Sequence, residues 1–401
     1  MSISILYHGW NVVKFRHRRT LYKGGCIFFE IEPTRLLQCP VCRSEKVVRK
    51  GTFQRILKTV PIGFKKVFLK VTGYRLLCKE CGRVCQEPIH LAHPKKSYDR
   101  ALERYVMGLC DAMTIKEVAE RVGLHWNTVK EIDKKRLSRR IPKARDLKKI
   151  RLLGIDEISI QKGHRYLTVV VDLERGAVVW VGRGRTALSL KPFFERLRRL
   201  RVKPLAIAMD MWPAYLEAVV SYLGPIPIVY DRFHILSAYG RVLDELRAKE
   251  YKSQKLIHKE LFRGTRYLLL RAGENLTEDA KQRLARLLSV NQTLSTAYIL
   301  KEDLRELWNC ATAEEARTFL SQWWQKAYAS GIQPLRKFAA MLRAHCSGLL
   351  NYFTHRISTG IVEGINNKIK VLKRKAYGYR DMDYFIAKIY NANRSRTEMI
   401  G

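Results

Sequence analysis

The chain has 401 residues and carries 76 Lys plus Arg against 37 Asp plus Glu, a formal net charge of +39 with a pI near 10.1. An excess of that size excludes an ordinary small-molecule metabolic enzyme and makes nucleic acid the default partner. Hydrophobic residues at 47% and aromatics at 10% exclude a disordered tail protein and suffice for two or more cores, so a folded multidomain chain is expected.

The opening stretch, MSISILYHGWNVVKFRHRR, places its basic residues after the apolar ones and has no small-residue cleavage site. It does not read as a secretory signal. The longest apolar region, from Pro204 to Tyr230, is interrupted by Asp210 and Glu217, so no membrane span is expected. These features predict a cytoplasmic, nucleoid-associated address.

Five of the nine cysteines fall between Cys39 and Cys85. In a reducing compartment such a cluster favours metal ligation over disulfides. Cys39 with Cys42, and Cys78 with Cys81, form two C-x-x-C pairs that can present four thiolates to one structural zinc. Gly82 can adopt the positive φ that follows a knuckle's second ligand, and Cys85 is a competing ligand placed second. Between the pairs, Val67, Leu69 and Val71 recur at period two, predicting short antiparallel strands. Cys26, Cys110, Cys310 and Cys346 stand alone and read as small core residues.

From Asp99 to about Leu137 the spacing turns helical. In TIKEVAERVGLHWNTVKEID, Thr114 and Glu117 have capping-box spacing and Gly123 sits at a turn. Val118, Val122, Leu124, Val129 and Ile132 form the buried set of a helix-turn-helix. Its second helix would offer Trp126, Asn127, Thr128 and Lys130 to a major groove, although His125 is a weaker helix cap than Ser or Thr. A helical hairpin of a bundle shares this spacing. The following KKRLSRRIPKARDLKKIR, ten Lys or Arg among eighteen residues, favours DNA binding and reads as a boundary or phosphate-contacting linker.

Three strand-like runs follow, RLLGIDEISI, YLTVVVDL and AVVWVGRG, the last two joined by a turn at Glu174, Arg175 and Gly176. A helix near Leu188–Leu200, the buried strand PLAIAM, a helix opened by Pro213 and the strand PIPIVY complete an α/β order. From Arg232 to about Tyr352 only helical spacing is seen, with a start signal at Thr277. Two last helices are separated by AYGYRD.

Asp156 lies within a strand pattern, where a buried charge requires a cation or a metal beside it. Its neighbour Glu157 competes for the role and points to the opposite face. Asp210 directly follows an apolar strand, at the edge where open α/β sheets place their sites, though a turn or cap residue would look the same. In STGIVEGINNKIKVLKRK, the apolar Ile361, Ile365, Ile369 and Leu372 form one helical stripe, leaving Glu363, Asn366, Asn367, Lys370 and Arg374 on the opposite face. An ordinary solvated face has the same pattern. In a very basic chain, two strand carboxylates and one on a later helix point toward metal-dependent phosphodiester chemistry.

The ordered set CPVC, CKEC, the helix-turn-helix, LLGIDEISI, AIAMDMWPAY, VYDRFHI, GTRYLLLR and GIVEGINNKIKVLKRKAYGYR resembles the ISL-three family of insertion-sequence transposases over nearly the whole chain. The resemblance implies a ribonuclease H-like core whose Asp, Asp, Glu triad falls on Asp156, Asp210 and Glu363, with an all-helical insertion between the last two. Asp231 and His234 match a D-x-x-H element, a secondary site candidate beside Asn366, Lys370 and Arg374.

The expected organisation is a zinc ribbon over 1–95, a helix-turn-helix with basic linker over 96–148, core over 149–235, helical insertion over 236–350 and the last part of the core over 351–401. The triad would hold two Mg²⁺ or Mn²⁺ ions. Double-stranded DNA, as terminal inverted repeats and target, would be the partner of a homodimer or larger assembly. A DNA-binding regulator without cleavage activity is the rival reading, and a nuclease that cuts without joining is a second.

Overall fold

The computed structural model describes residues 4–34, 36–161, 165–253 and 260–393, so the outer ends of the first and last expected segments lie outside the described residues. The chain forms two compact units, the first of Met1–Arg140 with the later Lys375–Tyr377, the second of Ile141–Arg374 with Gly378–Arg394.

In the first unit, α1 (Ile5–Trp10) leads into β1 (Phe15–Lys23), β2 (Cys26–Pro33), β3 (Val47–Ile62), β4 (Lys65–Cys78) and β5 (Val84–Gln86). The sheet order is β1-β2-β4-β3, with β5 also on β4. The expected short strands are instead a long hairpin, β3 with 16 residues and β4 with 14, and β2 pairs with β4 in parallel. Period-two burial of Val67, Leu69 and Val71 fixes which face of β4 meets Ile31, Leu57 and Trp10. Three helices follow, α2 (Arg100–Ala112), α3 (Ile115–Val122) and α4 (Trp126–Ser138). Thr114 and Glu117 make the capping box, and Gly123 takes φ +61° at the turn, where a side chain would strain the backbone. Val118, Val122, Val129 and Ile132 are buried, with Leu124 partly so. His125 does cap α4, its ring Nδ1 accepting from Asn127 N–H at 3.3 Å.

Sheet and helices are tied together in this unit. Lys58 of β3 pairs its backbone with Ser97 and Asp99, and its ammonium donates to the Gly123 carbonyl at 2.7 Å.

The second unit starts with α5 (Ala144–Leu147) and a sheet of β6 (Leu152–Gln161), β7 (Arg165–Asp172), β8 (Ala177–Arg183), β9 (Ala206–Met209) and β10 (Ile228–Tyr230). Its order is β10-β9-β6-β7-β8, with β6-β7-β8 antiparallel and β6, β9 and β10 parallel. This is a ribonuclease H-like arrangement. α6 (Ala187–Arg199) and α7 (Pro213–Leu223) link β8 to β9 and β9 to β10. Leu153, Ile155, Ile207 and Met209 face them, together with the cores of the later helices.

Those helices are α8 (Arg232–Ser253), α9 (Arg266–Leu270), α10 (Glu278–Val290), α11 (Gln292–Glu306), α12 (Ala313–Ala329), α13 (Gln333–Ala344) and α14 (Cys346–His355). Among the described residues no strand interrupts them. Tyr239 and Trp323 are fully buried there and bond backbone carbonyls, Tyr239 to Ala297 at 2.7 Å and Trp323 to Leu300 at 2.9 Å.

The other face of the sheet carries Ile158, Val169, Val171, Ala206 and Ala208 against α15 (Gly360–Lys375) and α16 (Met382–Tyr390). On α15 the buried stripe is Val362, Ile365, Asn366 and Ile369. This corrects the expected one: Ile361 is exposed and Asn366 is buried, because the helix turns to bring an amide to a partner on the sheet. A Cβ on Gly154 of β6 would lie 2.5 Å from Val362 and 2.8 Å from Leu173, so only glycine allows this approach. Of the four isolated cysteines expected in cores, Cys110 is buried, while Cys26, Cys310 and Cys346 are half-exposed. No helix among the described residues is long and apolar enough to cross a membrane.

Gly154→Val is expected to cost about 1–3 kcal/mol by overpacking. Gly364→Ala, on α15 but exposed and with open space around its Cβ, should be neutral or stabilise by about 0.5–1 kcal/mol. Urea unfolding of both variants checks the contrast.

Asp99 caps α2, accepting from Leu102 N–H at 2.8 Å, and burial pushes its carboxyl up to about 6. A folded-state value above the unfolded one means that stability is lost as pH rises from about 4 through 6. Asp99→Asn keeps the cap and removes the buried charge, so its Tm should exceed the parent's at pH 7.5, with the difference closing near pH 4.

Candidate functional site

The four cysteines of the two C-x-x-C pairs converge. Their Sγ atoms all lie within 4.8 Å of one another, with Cys39 to Cys81 at 3.7 Å and Cys42 to Cys78 at 3.5 Å. Four thiolates around a tetrahedral zinc lie about 3.8 Å apart. Both knuckles close by the same backbone bond, Arg43 N–H to Cys39 O and Gly82 N–H to Cys78 O, and both residues have positive φ, +62° and +66°. The N–H groups of Cys42 and Val41 hold the Cys39 thiol down to about 6, and those of Cys81 and Glu80 lower Cys78 against the effect of burial. Cys85 lies outside the quartet, and burial and the neighbouring thiolates push its thiol up.

At the N-terminal end of α4, Trp126 is 51% exposed, Asn127 is exposed, and Thr128 and Lys130 are half-buried. That end therefore presents an aromatic and an amide to solvent.

In the second unit, Asp156 sits on β6 and points toward α15. Its Oδ1 accepts the Glu157 N–H at 2.8 Å and its Oδ2 accepts Asn366 Nδ2 at 2.8 Å. The protein groups bonded to it are thus two neutral donors and not a lysine or arginine. Burial raises the Asp156 carboxyl above its ordinary value, against the pull of the Glu157 N–H. Asp210 directly follows β9, the parallel neighbour of β6, and accepts the Met211 N–H at 2.6 Å. His234 Nδ1 lies 3.6 Å from Asp210 Oδ2.

Glu157 faces the opposite side of the sheet, yet at this edge it still feels both acids. Burial first, then the charges of Asp156 and Asp210, raise its carboxyl, and its Oε2 is buried without a hydrogen-bond partner among the described residues. Below it lies a polar cluster: Thr168 Oγ1 is 2.9 Å from Ser189 Oγ and 3.0 Å from the Tyr215 hydroxyl. Sequence reasoning had Glu157 only as a competitor of Asp156 on the opposite face and passed over Thr168 and Tyr215, which come from other elements and form no local pattern.

Glu363 is exposed on α15, one turn before Asn366, so it stands on the side of the helix that meets Asp156. It lines a cleft of about 390 Å³ with Asp231, Arg232, Tyr352 and Ser358. The D-x-x-H pair divides its work. Asp231 is buried and caps α8, accepting the Phe233 N–H at 2.9 Å, while His234 turns to Asp210. Lys370 and Arg374 are exposed on α15.

Among the described residues the cysteines are the only group of three or more His, Cys, Asp or Glu side chains whose ligand atoms all fall within 4.8 Å. Asp156, Asp210 and Glu363 are therefore not drawn in to that distance. Their donor chemistry still fits a hard divalent cation, because every ligand atom the three side chains offer is a carboxylate oxygen.

Comparison with known proteins adds a family. A model described as a transposase matches residues 153–389, the helix-turn-helix domain of transposase family ISL3 matches 94–137, and the zinc-finger of transposase IS204/IS1001/IS1096/IS1165 matches 35–81. The chain belongs to the ISL3 family of transposases. It is similar to the transposase for insertion sequence element IS1001 of Bordetella parapertussis, 37% identical over 91% of each chain. It is also similar to the transposase for insertion sequence element IS1557 of Mycobacterium tuberculosis, 28% identical over 88% of this chain and 84% of that one. Among solved structures, a Drosophila P element transposase strand transfer complex matches with TM-score 0.40 and 14% identity over 75% of this chain and 93% of that one.

With the zinc-ribbon match, the cysteine quartet points to one structural zinc in this transposase. Elemental analysis should find about one zinc per chain. Cys42→Ser should abolish it and lower Tm, while Cys85→Ser should leave the stoichiometry unchanged.

Proposed function

We infer that this ISL3-family chain binds the terminal inverted repeats of its own element and catalyses metal-dependent cleavage and transfer of DNA strands, with Asp156, Asp210 and Glu363 as the catalytic acids. The observation that carries this reading is the Asn366–Asp156 hydrogen bond, which ties the helix bearing Glu363 to the strand bearing Asp156. Asp156, Asp210 and Glu363 would hold two Mg²⁺ or Mn²⁺ ions, which when bound supply Lewis acidity toward a phosphodiester and lower the pKa of a bound nucleophile.

The chain's own groups do the positioning. Asn366 and the Glu157 N–H fix both oxygens of Asp156, so its rotamer is set before any ligand arrives. The Met211 N–H does the same for one oxygen of Asp210, and His234 stands by the other. Asp231 holds the first turn of α8, and with it His234, by capping it. Lys370 and Arg374 offer exposed cations along α15 for a DNA backbone. Trp126, Asn127, Thr128 and Lys130 lie at the end of α4 that enters the major groove in helix-turn-helix proteins, and they would read the inverted repeats. The net charge of +39 supplies salt-sensitive affinity for any DNA. Two ends to be joined imply at least two protomers, and a cytoplasmic, nucleoid-associated location accords with such a substrate.

The test is incubation of the chain with labelled fragments carrying the ends of its element, in Mg²⁺ or EDTA. Asp156→Asn and Glu363→Gln should each lower cleavage and joining at least about 10³-fold, the scale on which members of one catalytic unit act, while end binding stays within a few fold. End-specific binding with no cleavage by the parent chain in Mg²⁺, or with Mn²⁺ in its place, would favour the regulator. Cleavage without joining to a target duplex would favour the nuclease.

A further inference from the structure

One cation at the acidic edge has no part in the scheme above. Arg185 follows β8, and its guanidinium carbon lies 4.5 Å from the centroid of the Tyr166 ring and 4.8 Å from that of Trp212. One bond pins its own backbone and two more pin that of the preceding Gly184. Trp212 Nε1 donates to the Arg185 carbonyl at 3.0 Å, Gly184 N–H donates to Tyr166 O at 2.8 Å, and Thr168 Oγ1 donates to Gly184 O at 2.8 Å. Gly184 has φ +93°, a conformation that keeps this corner for glycine.

Trp212 comes two residues after Asp210 and precedes α7, so the ring that supports Arg185 stands on the same short connection as the acid. Arg185 also acts electrostatically on Glu157, the neighbour of Asp156. Among the described residues the guanidinium nevertheless makes no hydrogen bond and no ion pair, although three carboxylates gather at this edge. Two aromatic faces hold it through its π-surface, and contact of that kind leaves the N–H fork unspent. A planar fork, rigidly held and unsatisfied beside carboxylates poised for phosphodiester chemistry, matches a phosphate oxygen pair.

We propose that Arg185, held by Tyr166 and Trp212, is a substrate-binding residue whose guanidinium takes a phosphate of the DNA strand led to Asp156 and Asp210. The inference rests on the transposase reading of that site. It assigns to one arginine, among the chain's many cations, a contact at a single defined phosphate rather than a share of the general field. The same contact would set which phosphodiester is presented for cleavage.

A methylphosphonate scan tests this. End fragments of the element are prepared with one neutral methylphosphonate at each phosphate in turn around the cleavage position, and cleavage rates are compared for the parent chain, Arg185→Ala and Arg185→Lys. The parent should be slowed on the order of tenfold to a hundredfold at one position outside the scissile phosphate. Arg185→Ala should be slowed to a similar extent on unmodified DNA and should then be indifferent to the methylphosphonate at that position. Arg185→Lys should fall between, retaining charge without the fork. The methylphosphonate effect is a ratio for one preparation on two DNAs, so partial misfolding of a variant, which would alter its rate against the parent, does not alter it. Wild-type rates for Arg185→Ala on unmodified DNA, or an unchanged scan for that variant, would overturn the inference and leave the transposase reading intact. Absence of cleavage by the parent chain on unmodified ends would overturn that reading, and the inference with it.

Discussion

A hydrogen bond between side chains 210 residues apart, Asn366 to Asp156, sets the terms for the second unit. A carboxylate in a β-strand pays a desolvation penalty that a lysine or arginine would offset by neutralising it. Asn366 and the Glu157 N–H offset it in a different manner, by orienting both oxygens with donors that carry no net charge. The result is a carboxylate that is fixed but not neutralised, and burial raises its pKa in consequence. A salt bridge there would have been a finished interaction. An amide leaves the acid with a remaining demand for positive charge.

That bond is possible only because a helix comes very close to the sheet. Gly154 leaves no Cβ in the path of Val362, and Ala206 and Ala208 keep the same face of β9 shallow. On the other face, bulky Phe193, Phe194 and Tyr215 fill the space under α6 and α7. The sheet therefore has a thin side and a thick side, and Asp156 points to the thin one. The helical segment that leaves β10 is coupled to the same edge, since Asp231 caps α8 while its N–H reaches the Met209 carbonyl at 3.4 Å, one residue before Asp210. Capping and positioning are one act in this place.

Much of this was legible because the chemistry is local. Two C-x-x-C pairs define a quartet by spacing alone, a capping box and a glycine define the α3–α4 turn, and apolar runs gave the sheet strands in order. The misreadings arose where tertiary contact decides between near-equal local patterns. On α15 the stripes through Ile361 and through Val362 share Ile365 and Ile369, and only the presence of Asp156 makes it favourable to bury Asn366 rather than expose it. The long β3–β4 hairpin was read as short strands because polar residues face outward along most of β3, which weakens the alternation. Arg185 carries no motif at all; its setting depends on rings at positions 166 and 212, which no local window contains.

The distribution of charge makes the strongest physical argument for where chemistry belongs. The chain has 76 lysines and arginines, and among the described residues none lies within 4.0 Å of the carboxylates of Asp156, Glu157, Asp210 or Glu363. In so basic a chain, acidic groups elsewhere find partners readily, as Glu30 and Glu32 do on the first sheet with Lys70, Arg16, Arg18 and Arg19. Leaving four carboxylates without a lysine or arginine partner, two of them largely buried, costs stability that a purely structural role would not require. Arg185, which acts electrostatically on Glu157, is engaged by two aromatic rings and pairs with none of the four, so the acids stay unneutralised and the cation unsatisfied at once. A divalent ion and a phosphodiester are the complements of those two halves, and the protein's fold keeps the halves from satisfying each other.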